Sequence, residues 1–383
     1  MFILVFIITI LILVLIHELG HFLAAKKFKI KVLEFGFGIP PKIFGKKIGE
    51  TVFSLNWLPF GGFVRLLGED EVDKQSLSSE DDKKLWNKHS FAVQSVNKRI
   101  LVVVAGVGMN LFLAALLFYL VLFSQGFKAQ LPLLVSHNFI GVSQQNEKLV
   151  LVSKVSDSSP ADKIGLKVGD RILAINDQSL KDSQELIDLT KANVGKKITL
   201  TISDISKNNQ RQVELTPREN PPLGEGPLGV ALSGVEVANI EYKEGWQKLL
   251  AGPVHSLNIT VYSVKIFSSM IATSFQKRDF TPISQSVAGP VGITAVVKEI
   301  LSVSNPLIPY LDFMAMLSLN LAIVNILPFP GLDGGRFFFL LFEAVTKKRV
   351  HATVEKYIHA VGLAVLLALI FLVTVSDIKK LIF

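Results

Sequence analysis

The stretch Ile16-His17-Glu18-Leu19-Gly20-His21-Phe22 decides how the rest of the chain is read. It lies in an apolar run that begins at Met1 and continues to Ala25. His17 and His21 stand about one helical turn apart, so both imidazoles fall on one face and can reach a single metal ion. Glu18 points near the same face, where it can take a proton from a water at that metal. Ionisable groups at bilayer depth are costly and usually functional. Two ligands and a general base on one helix are the arrangement that zinc-dependent peptide hydrolysis uses.

Composition sets the frame around that stretch. Of 383 residues, 50% are apolar and 19% charged. This is too apolar for one soluble domain and too polar for a chain made only of membrane helices, so membrane spans carry a soluble part. The absence of Cys excludes disulfides and thiolate metal sites, leaving His, Asp and Glu as ligands. A net charge of +8 is modest for a membrane protein and is not read as nucleic-acid binding. No basic segment precedes the first apolar run and no small-residue cleavage site follows it, so a retained helix is expected.

Apolar spans are expected at about residues 2–25, 100–123, 309–327 and 357–375, each near the length that crosses a bilayer. Lys26-Lys27, Lys98-Arg99, Arg336, Lys347-Lys348-Arg349 and Lys356 then fall on one side, which the positive-inside rule makes cytoplasmic. Both termini and residues 124–308 face outward, with Lys379-Lys380 a minor dissent. The expected division begins with a membrane helix at 1–25, a cytoplasmic-side re-entrant β region and charged linker at 26–97, and a helix at 98–125. A soluble domain at 126–220 and a linker with an amphipathic membrane-surface helix at 221–308 follow. A third helix at 309–335, a cytoplasmic loop or helix at 336–356, and a fourth helix and tail at 357–383 complete it.

Within these segments, residues 34–41 and 51–65 alternate as strands do, with Gly and Pro punctuation. They are apolar enough to dip into the membrane, where strand backbone is tolerated only if protein or a cavity covers it. Residues 69–88 are charged and read as a linker. Residues 149–155, 171–176, 198–202 and 212–216 read as short strands, and 183–191 as a helix between them. Ser159-Pro-Ala-Asp-Lys-Ile-Gly-Leu-Lys-Val-Gly-Asp-Arg-Ile-Leu-Ala-Ile-Asn176 resembles the PDZ signature. That resemblance implies that Phe139, Ile140, Gly141 and Val142 receive a peptide C-terminus on backbone N–H groups. Residues 221–227 read as a linker, and 246–271, interrupted by Lys248, His255, Asn258 and Lys265, as an amphipathic helix on the outer leaflet.

A catalytic zinc site takes three protein ligands and keeps one position open. Candidates for the third are His89, His137, His255, His351, His359, Asp312 and Asp333. Depth favours Asp333, which follows the third span at the level of His17 and His21. The competing reading is that Asp333 caps the helix starting near Gly334.

The motifs taken together resemble the bacterial site-2 protease family of intramembrane metalloproteases. They are the His17–His21 sequence, Phe35-Gly-Phe-Gly38, Gly61-Gly-Phe-Val-Arg-Leu-Leu-Gly-Glu69, the PDZ insert, Gly289-Pro-Val-Gly-Ile293 and Asn325-Ile-Leu-Pro-Phe-Pro-Gly-Leu-Asp-Gly-Gly335. The resemblance implies Zn²⁺ on His17, His21 and Asp333, with Glu18 as general base. It places Asn325, Pro328 and Pro330 along a substrate channel, and an unwound substrate on strands that include Gly36, Phe37 and Gly38. The implied fold is a polytopic α-helical membrane protein of about four transmembrane helices, with a membrane-associated β-sheet and an inserted extracytoplasmic α+β PDZ domain. Its implied partners are the lipid bilayer, membrane proteins with a transmembrane helix and a peptide ligand of the PDZ domain, in a bacterial inner membrane with the active site toward the cytoplasm. Val107 stands where that family often has Pro, and one PDZ pattern is evident where some members carry two. The rival readings are an inactive PDZ-bearing scaffold and a metal transporter.

Overall fold

The computed structural model describes residues 1–69, 80–204 and 209–382. The chain starts with α1 (Phe2–Lys27), β1 (Val32–Ile48), β2 (Thr51–Leu66), α2 (Glu80–His89) and α3 (Val96–Ser124). A mixed region follows with β3 (Lys128–Pro132), β4 (Ser143–Val155), α4 (Pro160–Lys163), β5 (Arg171–Ile175), β6 (Gln178–Ser179) and α5 (Ser183–Ala192). It closes with β7 (Ile198–Asp204), β8 (Asn209–Leu215), β9 (Val230–Glu241) and α6 (Gly245–Leu249). The remainder is helical: α7 (Ala251–Lys277), α8 (Thr281–Ser286), α9 (Pro290–Ser302), α10 (Leu307–Ile326), α11 (Asp333–Thr346) and α12 (Ala352–Ile382). Two compact units result, one of Met1–Ser124, Gly252–Thr260 and Met270–Phe383, the other of Gln125–Ala251 and Val261–Ser269.

In the first unit, α1, α3, α10 and most of α12 are long and apolar enough to cross a membrane. α1 is apolar nearly all round, as a helix in a non-aqueous surround must be. Lys26 and Lys27 sit in its last turn, where cations suit the helix dipole, and the left-handed Lys29 (φ 57°) ends it. A Cβ on Gly20 would lie 2.2 Å from the Ala105 carbonyl oxygen, so only glycine lets α1 and α3 approach this closely. At the base of this pair Ala25, Ile30, Val32, Leu66 and Val102 form one apolar cluster that ties the β-strands to both helices. Arg99 on α3 pairs with Glu343 on α11 at 2.6 Å, both largely buried. Burial pushes the Glu343 carboxyl up, but hydrogen bonds from Arg99 and Arg349 more than offset it and leave it below the ordinary carboxylate range.

The strands of this unit form one small sheet. Glu34 to Phe37 stand opposite Val52 to Leu55 on one side and Gly62 to Arg65 on the other, while Phe44 to Ile48 stand opposite Thr51 to Leu55. The outer runs are therefore 62–66 and 44–48. Phe22 of α1 packs edge-on against Phe35 and Phe53 of the sheet. Ile43, Phe44, Ile48 and Trp57 point outward and are 57–69% exposed.

α10 stops at Ile326 because Pro328 disfavours helical backbone at Leu327, which is extended (φ −62°, ψ 147°). Gly331, at φ +97°, reverses the chain into α11. The Gly289-Pro-Val-Gly-Ile293 motif also acquires a physical meaning. The buried Asp377 carboxylate on α12 accepts the N–H groups of Gly289 and Gly292, both at 2.8 Å, and so caps α9 from another helix.

In the second unit the sheet order is β3-β9-β4-β5-β7-β8, with β6 beside β5. Its core is conventional: Val150, Val152, Ile172, Leu186, Leu200 and Ile202 turn inward. Ser159 caps α4 and Asp182 caps α5 through their side chains.

Three expectations are corrected. The region read as a linker at 221–308 contains β9, which pairs with β4 from Ser143↔Glu241 to Val155↔Val230, so the soluble unit extends past residue 220 to Ala251. Residues 69–88 are not linker throughout: Asp70–Ser79 lie outside the described residues, but 80–89 form α2, whose Trp86 is buried. The stretch 246–271 is helical, but of the polar residues that interrupt it only Lys248 and Lys265 are exposed. His255 and Asn258 are buried, His255 lies edge-on to Phe118, and a Cβ on Gly252 would meet the Ala115 carbonyl at 2.1 Å. A close contact with α3 takes the place of the expected surface-lying face.

Candidate metal centre

α1 presents His17 and His21 on one face, and the loop between α10 and α11 brings Asp333 to them from more than 300 residues away. His17 Nε2 lies 2.8 Å and His21 Nε2 3.1 Å from Asp333 Oδ2. The two Nε2 atoms are 3.2 Å apart. A tetrahedral ion with bonds of about 2.0–2.1 Å separates its ligand atoms by about 3.3 Å, so this triangle has the dimensions of three ligands on one ion. Two imidazoles and a carboxylate are a donor set that suits zinc. Asp333 does not cap α11; Leu332 holds the cap position and the Asp333 carboxylate turns to the histidines instead.

The surroundings shape the cluster. A Cβ on Gly106 would sit 2.4 Å from His21 Nε2 and 2.8 Å from His17 Nε2, so α3 makes room for the rings only because it carries glycine there. His21 Nδ1–H donates to the Val102 carbonyl at 2.9 Å, which leaves the Nε2 lone pair free to face the cluster. The Asn110 amide lies 3.2 Å from His17 Nδ1. Gly331 N–H donates to His359 Nδ1 at 2.9 Å and holds the loop that carries Asp333. Arg336 pairs with Glu69, whose other oxygen accepts the Leu66 N–H at 3.2 Å.

His17, Asp333, Glu18 and Asn325 line one cavity of about 190 Å³, with Val14, Leu321 and Leu332 as its apolar walls. The same cavity takes in Gly331 but neither Pro328 nor Pro330. Pro330 packs instead against α12, where a Cβ on Gly362 would lie 2.1 Å from its carbonyl. Gly36 and Phe37 have strand neighbours on both sides, so their backbone cannot take an added strand. The outer run at 62–66 has a neighbour on one side among the described residues, and a Cβ on Gly62 would fall 3.1 Å from Glu18 Cγ. This outer run thus lies beside Glu18, one strand away from the Gly36-Phe37-Gly38 position expected from sequence.

In the second unit, the Phe139 N–H donates to Gln144 Oε1 at 2.8 Å and its ring packs on His137 and Tyr262. It is therefore not available to a peptide carboxylate, although Ile140 beside it is 58% exposed. An open strand edge lies elsewhere: β9 meets β3 only from Val237 onward, so Val230 to Val235 have a strand on one side alone among the described residues.

Sequence reasoning gave Asn110, Gly106 and Gly62 no part in this site, and weighed His359 only as a third metal ligand, whereas it accepts the Gly331 N–H. Asn110 and Gly106 carried a signal, a polar side chain and a glycine inside an apolar span. Gly62 carried none that spacing reveals.

A His-His-carboxylate cluster with a neighbouring glutamate, among helices apolar enough to cross a membrane, has the donor set of a metal-dependent hydrolase. The chain belongs to peptidase family M50, whose family model matches residues 5–369. A protein of Clostridium acetobutylicum bearing a zinc-metalloprotease name is 32% identical over 370 residues, covering 96% of this chain and 94% of its own. The zinc metalloprotease RasP of Geobacillus kaustophilus is 27% identical over 96% of this chain and 95% of its own. The regulator of sigma-W protease RasP of Bacillus subtilis is 26% identical over 96% of both. Among solved structures, the PDZ domain of an SdrC-like protein of Listeria monocytogenes is 25% identical, covers 26% of this chain and 93% of its own, and has a TM-score of 0.19.

Proposed function

We propose that this chain is an intramembrane zinc endopeptidase that cuts the membrane-spanning segments of other membrane proteins. His17, His21 and Asp333 would hold the zinc, and Glu18 would act as general base and then general acid. The observation that carries this reading is the triangle of donor atoms, 2.8 to 3.2 Å on a side, within a group of apolar helices. When bound, zinc polarises a scissile carbonyl and makes water a nucleophile near neutral pH. Glu18 takes the proton of the attacking water and later hands it to the leaving amine. Asn325 shares the cavity with Glu18 and Asp333 and lines the path of the substrate.

A helical substrate hides its carbonyls in i→i−4 bonds and must unwind before attack. Pairing with the free edge at 62–66 offsets those lost bonds and lays the peptide beside Glu18. The second unit regulates access and does no chemistry; its PDZ-like signature and the open edge of β9 support peptide capture there. Membrane-anchored regulators such as anti-sigma factors and signal-peptide remnants are the substrate classes this reading implies.

The basic clusters support a bacterial inner-membrane orientation with the termini and the second unit outside and the metal cluster toward the cytoplasm. Because the chain has no Cys, single cysteines placed at Asp157 and at Lys348 are unique labels. An impermeant thiol reagent applied to intact cells is expected to reach the first and not the second; the reverse pattern contradicts the orientation. For the activity, the purified full chain is expected to carry zinc and to cut a substrate within its membrane-spanning segment, with both properties lost in His17→Ala. Cleavage that persists in zinc-free His17→Ala would overturn the reading.

A further inference from the structure

We infer that Asn110 on α3 is the positioning residue for the His17 imidazole, holding that ring so that its Nε2 faces the metal cluster. The inference rests on the metal-centre reading above and adds a residue to it. A ring that ligates through one nitrogen is aimed and fixed in tautomer by the hydrogen bond at the other. His21 has such a partner in the Val102 carbonyl at 2.9 Å. For His17 the group at the other nitrogen is the Asn110 amide, 3.2 Å from Nδ1.

Asn110 is fully buried, and its Oδ1 has no hydrogen-bond partner among the described residues. An unpaired amide oxygen in an apolar span is expensive, and such an exception calls for a function. The explanation lies in what an amide can do: a half-turn about its last side-chain bond exchanges a donor for an acceptor at the same place. With the proton on Nε2, His17 donates to Asp333 Oδ2 at 2.8 Å and its Nδ1 accepts from Asn110 Nδ2 at 3.2 Å. When Nε2 is committed to a metal its proton moves to Nδ1, which then needs an acceptor, and the turned amide supplies Oδ1. The residue itself is held: Ser318 Oγ on α10 donates to the Asn110 backbone carbonyl at 2.8 Å. Asn110 therefore serves both tautomers of His17 without any movement of α3.

The test uses the full chain in detergent micelles, with zinc affinity measured by competition against a chromophoric chelator. Asn110→Leu keeps the volume and removes both hydrogen-bonding groups; it is expected to weaken zinc about 10- to 100-fold. Asn110→Asp keeps an oxygen acceptor and is expected to stay within a few-fold of wild type. Wild-type affinity in Asn110→Leu, or equal loss in both variants, overturns the inference, the second outcome showing a packing role alone. Should Asn110→Leu fail to fold, the wild type decides. Labelled with ¹⁵N-histidine and loaded with zinc, it is expected to show His17 protonated at Nδ1, and protonation at Nε2 overturns the inference. A wild type that binds no zinc, or a His21→Ala variant that binds it equally well, removes the metal centre itself and the inference with it.

Discussion

The molecule contains two sheets with opposite relations to their surroundings. In the second unit the apolar side chains turn inward, with Leu200 and Ile202 fully buried, as a sheet in water requires. In the first unit Phe44, Ile48 and Trp57 turn outward at 58–69% exposure. An outward apolar face of that kind belongs against lipid or another apolar surface. Among the described residues the second unit's sheet leaves an edge open at 230–235, and the first unit's sheet, besides its other outer run at 44–48, leaves one at 62–66. Only the second of these runs beside a carboxylate and a cluster of metal-ligating groups. The same backbone chemistry is thus offered at both edges, and what separates them is the neighbour of the edge; the proposed capture of a peptide at one and its presentation for cleavage at the other rest on that difference.

That contrast can be broken in order of effect. Replacing His21 by Ala is expected to take zinc content and cleavage to background while the second unit stays folded, as near-ultraviolet circular dichroism would show. Leu200→Ala is expected to do the converse. It costs the second unit about 2–5 kcal/mol, seen in its denaturant midpoint, while zinc content and cleavage of a short substrate persist. Loss of that cleavage in a folded, zinc-loaded variant would refute the division of labour.

Glu343→Gln leaves the buried Arg99 without its charge partner and is expected to cost the first unit about 3 kcal/mol. The folded-state carboxyl is held low, so its stabilising effect is present above the ordinary carboxylate range and is lost as pH falls through the lowered value. Thermal unfolding of the wild type is expected to drop more steeply on acidification than that of the variant. Gly62→Ala places a Cβ 3.1 Å from Glu18 Cγ; it is expected to lower kcat/KM roughly tenfold with zinc unchanged. Phe44→Ala, at an outward position, is expected to shift unfolding in detergent by no more than about 0.5 kcal/mol.

Much of this was legible in the chain because it depends on local spacing. The pair His17 and His21 follows from the helical repeat, and the four long apolar helices follow from length and composition. Asp333 was reachable only through depth and through the family resemblance, since no local pattern links it to residues so distant. β9 was hidden because the Pro- and Gly-rich run at 221–229 drew the whole region into a linker, although Val230, Leu232 and Val237 carry strand-forming side chains. Gly36 and Phe37 came from the family resemblance, and the sequence does not show which strand lies at the edge. His255 and Asn258 point to a surface-lying amphipathic helix because polarity marks a surface in water, whereas here both are buried. Asn110 went unread as a partner because its role depends on a ring 93 residues away.

The account stands or falls on Glu18 as the group that moves the proton and on the two histidines as groups that hold the metal. Zinc per chain and cleavage rate, measured together on purified Glu18→Gln and wild type, separate the two roles. The account predicts equal zinc in both, with cleavage in the variant lower by about 10²- to 10⁴-fold. Cleavage within a few-fold of wild type at equal zinc would contradict it.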